Sequence, residues 1–327
     1  MNHRRIARPA RRRDAEGRSP SRSLLRQEAE LLDFLIGTGR CGSTLLYEVL
    51  ARHPQVGFVS NWDDRSARTP GFLRRNAGRV YRLTTVPALE GRRLRVRPCE
   101  GQRVLSREVS PAVVDPFRDL TADDVTPWLA GRMRRFFGGR AAEQRTGHLV
   151  HKFTLWPRAA FLHRIFPDAR FVHIVRDGRA VANSHLQMTW WRGHLGPSRW
   201  KLGPLPPWYR EEWEKEGRSL VHLAGIAWQI QMDAFEIARA AVPAEQWLEV
   251  RYEDLLADPR KHVNAVLDFL GLPWTPSFER GFARHTFRAG RLDAFRRDLT
   301  PDQLALLDRC LSAHLHRYGY AAGGGTT

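Results

Sequence analysis

Residues able to grip an anion are concentrated in the stretch FLIGTGRCGSTLL, Phe34 to Leu46. Gly37 and Gly42 keep the spacing of a phosphate-binding loop, G-x-x-x-x-G-K-[ST], and Thr44 fills its last place, but Ser43 stands where the lysine belongs. The amides of Gly39 to Ser43 and the start of the following helix would converge on a negatively charged group. With the lysine gone and Arg40 inside the loop, the grip passes to a guanidinium fork and to the hydroxyls of Ser43 and Thr44. Cys41 reads as a small residue that lets the amides approach; the competing reading is a thiolate nucleophile.

A second anion site is suggested by FVHIVRDGRAVANSHL. Arg176 falls at the end of an apolar run and Ser184 lies along the helix that follows, so a fork and a hydroxyl can meet on one phosphate. The competing reading has Asp177 capping the helix and Arg176 pairing with a carboxylate.

Elements that would hold these residues follow from the alternation of short apolar runs with helical patterns, an α/β signature. Strands are expected at Leu32–Gly37, Val56–Ser60, His148–Lys152, Arg170–Val175 and Trp247–Arg251, runs suited to a buried parallel sheet. Helices are expected at Ser43–His53, Ala159–Phe166, Arg179–Met188, Val221–Ala241, Val263–Leu270 and Pro301–Leu315. Two stretches break the alternation and read as insertions: the arginine- and proline-rich 61–147, and 187–218, which carries five tryptophans. The second is either a lid or acceptor wall, or a loop fastened to the core by its tryptophans.

Composition bounds the class. The chain has 327 residues, 42% of them hydrophobic, enough for a sizeable core. Its net charge is +18, partly from residues 1–26, whose nine arginines face only Asp14 and Glu16. That tail is expected to be disordered, either a solvated terminus or an arm for nucleic acid or a peripheral anionic lipid surface. Residues 321–327 read as a flexible C-terminal tail. No apolar run reaches the roughly 18 residues of a membrane span and no signal-peptide core follows the basic N-terminus, so a cytoplasmic protein is expected. Cys41, Cys99 and Cys310 are far apart with no C-x-x-C, which argues against a disulfide framework or a zinc motif.

Taken as a pair, the two anion segments resemble motifs of sulfotransferases that use 3′-phosphoadenosine-5′-phosphosulfate (PAPS). GTGRCGSTLL resembles the family's 5′-phosphosulfate loop, P-R-S-G-T-T-L-L, and VRDGRAVANS its 3′-phosphate motif; the bacterial and tyrosylprotein-type branch is the most similar. The resemblance covers about residues 31–320, through VRYEDLLADPRKHVNAVLDFLGLPW and FRAGRLDAFRRDLT, which is similar to the family's R-K-G-x-x-G-x-W-K signature with Arg288 and Gly290 in agreement.

The resemblance implies a P-loop-NTPase-like three-layer α/β/α domain over 31–320, with a mainly parallel sheet of about five strands ordered 2-1-3-4-5. It implies that Gly39, Arg40, Cys41, Gly42, Ser43 and Thr44 wrap the 5′-phosphosulfate, that Arg176, Ser184 and Arg288 hold the 3′-phosphate, that Gly290 belongs to the cofactor-binding set, that Tyr252 lies near the nucleotide and that Phe295 stacks near the adenine. HKFTLWP is similar to the tyrosylprotein branch's N-K-D-P-F, so Lys152, one of only four lysines, supports the departing group. Transfer is then in-line, with Lys152 and Arg40 placing positive charge where negative charge develops, and no metal is part of the scheme. That branch's base is a glutamate after its second strand; Asn61 occupies the place here, and asparagine cannot serve. Glu100 and Asp63 are the preferred substitutes, with Asp64 and His151 as alternatives.

The acceptor carries a hydroxyl or an amine, and sequence does not separate an apolar small molecule or lipid from a polyanionic glycan or acidic peptide. Two rival readings exist. A kinase or NTPase would use Gly37, Gly42, Thr44 and Asp177, without the lysine that grips β- and γ-phosphates. A nucleic-acid module would rest on charge alone, since no zinc-finger, K-homology or RNA-recognition signature accompanies it, and no specific nucleic acid is expected as a partner.

Overall fold

A computed structural model describes residues 31–65, 69–83, 96–288 and 292–320. Five strands form one all-parallel sheet: β1 Leu31–Gly37, β2 Val56–Gly57, β3 His148–Thr154, β4 Arg170–Val175 and β5 Trp247–Arg251. Helices α1 Ser43–Leu50, α2 Asn61–Arg65, α3 Gly71–Leu83, α4 Gln102–Glu108, α5 Pro111–Val114 and α6 Pro127–Gln144 precede β3, and α1 also precedes β2. The remaining helices are α7 Ala159–Ile165, α8 Gly178–Leu186, α9 Pro207–Lys215, α10 Leu220–Ala240, α11 Tyr252–Ala257, α12 Pro259–Phe269, α13 Pro276–Phe282, α14 Ala294–Asp298, α15 Pro301–Cys310 and α16 Ser312–Arg317.

Alternation along β1 shows why the sheet takes three layers. Phe34 and Ile36 belong to one apolar cluster with Phe137 of α6, Phe161 of α7, Val181 of α8 and Trp228 of α10. Leu35 between them faces the opposite cluster, with Leu46 and Val49 of α1 and Val263 and Leu267 of α12. Strand side chains point alternately to the two faces, so a strand apolar throughout is a strand covered on both sides.

The strand order is β2-β3-β1-β4-β5. This corrects the expected 2-1-3-4-5: β1 lies between β3 and β4, Leu35 opposite Lys152 on one side and Val172 on the other. β2 is also shorter than the run Val56–Ser60, because Ser60 leaves the sheet for an antiparallel bridge to Pro98. The stretch 61–147 contributes α2 to α6, and α6 packs on the sheet through Met133, Phe136 and Phe137, all buried. Pro301–Leu315 divides at Leu311 into α15 and α16.

Candidate active site

The ends of β1, β3 and β4 and the start of α11 open on one cavity of about 710 Å3. Ligands of open α/β sheets bind at the carboxyl ends of the strands, and three of these four elements deliver a charged or phenolic side chain there. Gly37 ends β1, and the turn to α1 needs a left-handed backbone at Arg40 (φ 71°) and Gly42 (φ 91°). A Cβ on Gly42 would lie 2.1 Å from Cδ2 of Tyr252, so the ring of Tyr252 lies directly against the loop. Only glycine serves here on both counts.

The loop is cross-braced by the residues singled out in the second anion segment. Arg40 Nε donates to Ser184 Oγ at 2.8 Å, and the Arg176 guanidinium donates to the Arg40 carbonyl at 2.8 Å. Arg176 also lies over the Tyr252 ring, 5.0 Å from its centre. Gly39, Arg40, Gly42, Ser43, Thr44, Arg176, Ser184 and Tyr252 therefore converge on one end of the cavity. Cys41 is buried outside the lining, and burial pushes its thiol up from its ordinary value, against the weaker pull of Ser43, Lys152 and Arg176. A buried protonated thiol is no nucleophile.

Lys152 lines the same cavity. From β3 its ammonium donates to Thr44 Oγ1 of the loop at 2.8 Å and pairs with Glu100 Oε1 at 2.8 Å. Glu100 also accepts from Thr154 at 3.2 Å and Gln102 at 3.1 Å. Burial works to raise the Glu100 carboxyl, but the Lys152 charge and hydrogen bond, with those of Gln102 and Thr154, together outweigh it and hold the group below the ordinary carboxylate value. Glu100 is thus an ionised carboxylate already touching the cation beside it.

The rest of the lining is mixed: Leu105, Val114, Phe153, Trp190, Trp191 and Trp200 give it apolar surface, Asp115, Arg158, Arg192, Lys201 and Arg297 give it charge, and Trp190 lies against Gly39 of the anion loop. Three of the five tryptophans of 187–218 thus line the cavity, Trp191 and Trp200 from within the apolar core, while Trp213 fastens the segment through Nε1 to the Ser219 carbonyl at 2.8 Å. Arg158, 1% exposed, fixes the floor by donating to the carbonyls of Val113, Val114, Thr154 and Trp156. His185 sits between loop and wall, stacked on Trp191; burial and the Arg40 charge hold it down at about 4, a neutral ring.

Several expected residues lie elsewhere. Asp63 is buried in an ion pair with Arg140 at 2.6 Å and does not line the cavity, so its carboxylate is committed to Arg140 and is withdrawn as a base. Asp64 caps α4 through the amides of Arg103 and Val104. His151 is packed between Phe137 and Phe153, with burial lowering it to about 3, and does not reach the cavity. Arg288 is exposed and not among the lining residues, whereas Arg297, nine residues on in the same segment, is. Gly290 lies outside the described residues, as do 1–30 and 321–327. Phe295 does line the cavity. Asp177 caps α8 and holds Arg179 at 2.7 Å, which removes the carboxylate that an NTPase reading needs.

Thr154 and Gln102 are the site residues that sequence reasoning misses, though each stands two residues from a named group. Thr154 shares a strand face with Lys152, a period-two relation readable from sequence. Arg297 and the three wall tryptophans carry no motif.

Comparison with known proteins supplies the family. Residues 34–276 match the profile of the Sulfotransferase family. Omega-hydroxy-beta-dihydromenaquinone-9 sulfotransferase Stf3 of Mycobacterium tuberculosis is 28% identical over 169 residues, 50% of this chain and 38% of that protein. Human carbohydrate sulfotransferase 2 is 30% identical over 293 residues, 76% of this chain and 54% of its own length. This chain thus spans about half or less of the curated relatives it matches. Sulfotransferase STF9 of Mycobacterium avium shares the fold, with a TM-score of 0.52 at 14% identity over 90% of this chain and 79% of its own. The chain belongs to the sulfotransferase family.

Proposed function

We propose that the protein transfers a sulfonate group from PAPS to the hydroxyl of an acceptor whose body is apolar. The observation that carries this reading is the position of Lys152, hydrogen-bonded to Thr44 of the anion loop and paired with Glu100, all three lining the same cavity. The cradle fits a donor with two anionic ends: the loop amides with Arg40, Ser43 and Thr44 suit the 5′ end, and Arg176 with Ser184 the 3′-phosphate. Tyr252, against Gly42, supplies a face near the nucleotide. When bound, PAPS supplies an activated sulfonate whose bond to the 5′-phosphate oxygen breaks as the acceptor oxygen bonds to sulfur.

Lys152 and Arg40 place positive charge against the oxygens that become more negative. Glu100, already ionised, accepts the proton of the acceptor hydroxyl. Trp190, Trp191 and Trp200 hold the acceptor and exclude water. Of the relatives' names, the menaquinone one describes a hydroxyl on an apolar body, and the tryptophans of the lining suit such a body. We read 31–320 as the catalytic domain. The three unpaired cysteines support a reducing, cytoplasmic setting.

The test is a thermal shift of the purified protein with 3′-phosphoadenosine-5′-phosphate, ATP plus magnesium, and AMP. A ligand at about 100 times its Kd adds about 2.7 kcal/mol, a shift of several degrees. The expected outcome is stabilisation by the 3′-phosphorylated nucleotide, lost in Arg176→Ala. Stabilisation by ATP-magnesium alone would overturn the reading.

A further inference from the structure

Apart from the cavity, one cluster of ligand-type side chains among the described residues is assembled from three helices. Glu212 of α9, His222 in the first turn of α10 and Cys310 at the end of α15 bring one carboxylate oxygen, one ring nitrogen and one sulfur all within 4.8 Å of each other. None of the three lines the cavity.

His222 is the second, independent observation. It is 0% exposed, and neither ring nitrogen has a hydrogen-bond partner. Burying an imidazole with both nitrogens unsatisfied is costly, on the order of 1–3 kcal/mol for each such group. Its Nε2 stands 3.6 Å from Glu212 Oε1, too far for a hydrogen bond. Two ligands about 2.0–2.1 Å from one tetrahedral ion stand about 3.4 Å apart, so this spacing is close to that of neighbouring ligands.

We propose that Glu212, His222 and Cys310 form a structural zinc site that staples α9, α10 and α15. A mixed oxygen, nitrogen and sulfur set suits a tetrahedral zinc ion, with a fourth position left for water or for Glu216, one helical turn beyond Glu212. Glu216 is paired with Arg309 at 2.8 Å, so recruiting it would break that ion pair. His222 is held neutral, chiefly by burial, and is ready to ligate without losing a proton. Cys310 is pushed up to about 12, first by burial and then by the charges of Glu212 and Glu216, so binding releases one proton as the thiol becomes a zinc thiolate. The residues are spread over 212–310, which is why no C-x-x-C or His-x-His spacing announces them in the sequence.

The test uses the full chain, without a metal-binding tag, stripped by chelator and titrated with cobalt(II) and then zinc chloride. The expected result is one ion per chain, a sulfur-to-cobalt charge-transfer band with strong tetrahedral d–d absorption, and a rise in Tm with zinc. In Cys310→Ser the band is expected to vanish. In Glu212→Gln, at a partly exposed position, affinity is expected to fall at least ten-fold while the Tm of the metal-free protein is unchanged. No stoichiometric binding, or a band that persists in Cys310→Ser, would overturn the proposal. Because none of these readouts involves nucleotide or sulfonate transfer, they succeed or fail independently of the proposed activity.

Discussion

Lys152 and Glu100 restrain each other, and the consequences can be separated. Removing the ammonium leaves the burial of Glu100 without its main opponent, so its carboxyl is expected to rise. Lys152→Ala is therefore expected to bind 3′-phosphoadenosine-5′-phosphate within a few-fold of wild type, to lose nearly all turnover, and to move the acid limb of any residual rate upward in pH. Wild-type turnover in this variant would end the assignment. Glu100→Gln keeps the shape and removes the base, and general-base contributions of about 10²–10⁴ in rate set the expected loss. In the wild type the carboxylate persists below its ordinary 4.5, so kcat is expected to show no acid limb due to this group between pH 7 and pH 5. Initial-rate profiles with both variants check each statement.

At the level of elements, the turn between β1 and α1 depends on its contact with α11. Gly42→Ala meets two penalties: a left-handed backbone, about 1–2 kcal/mol for a residue with a Cβ, and the clash with the Tyr252 ring. Nucleotide affinity is expected to fall at least ten-fold and Tm by several degrees. Adding Tyr252→Ala is expected to recover part of the stability and none of the backbone cost, a coupling that a double-mutant cycle by calorimetry measures. Additive losses would show that the ring does not press on the loop. Local pattern makes these elements legible: β1, β3, β4 and β5 end within two residues of their expected limits, because apolar runs and turn residues are local properties. Strand order is not local, and the exchange of β1 and β3 in the expected order has that cause. Asp63 misleads for the same reason, since Arg140, the partner that occupies it, is 77 positions away. Arg297 instead of Arg288 at the cavity is a question of how a segment folds back, which a motif spacing does not carry.

Across the whole molecule, buried neutral histidines govern acid sensitivity. Burial lowers His151 to about 3 and His185 to about 4, and also lowers His53, His173 and His222. Below their ordinary 6.5 the unfolded chain takes up protons that the folded chain refuses, so stability falls with pH through the window from 6.5 down to those folded values. Asp119, raised to about 6 by burial, and Glu253, raised likewise, work in the opposite direction. The histidines outnumber these two carboxyls, and His151 and His185 are displaced further than Asp119, so the imidazoles set the net slope. Tm is expected to drop continuously from pH 7 to pH 4.5, as differential scanning calorimetry would show; a flat profile would contradict the neutral assignment of these rings.

The central position of β1 also bears on how the chain is made. Leu31 finds its first sheet partner only at His148, and Asp33 finds its other one at Arg170. During synthesis an apolar strand with two unsatisfied edges must therefore wait until more than a third of the chain has followed it out of the ribosome. Non-local parallel pairing is slow, and an unpaired strand edge is a template for aggregation. Recombinant yield is therefore expected to rise when the chain is expressed slowly, at low temperature, and a yield that does not respond would count against this reading.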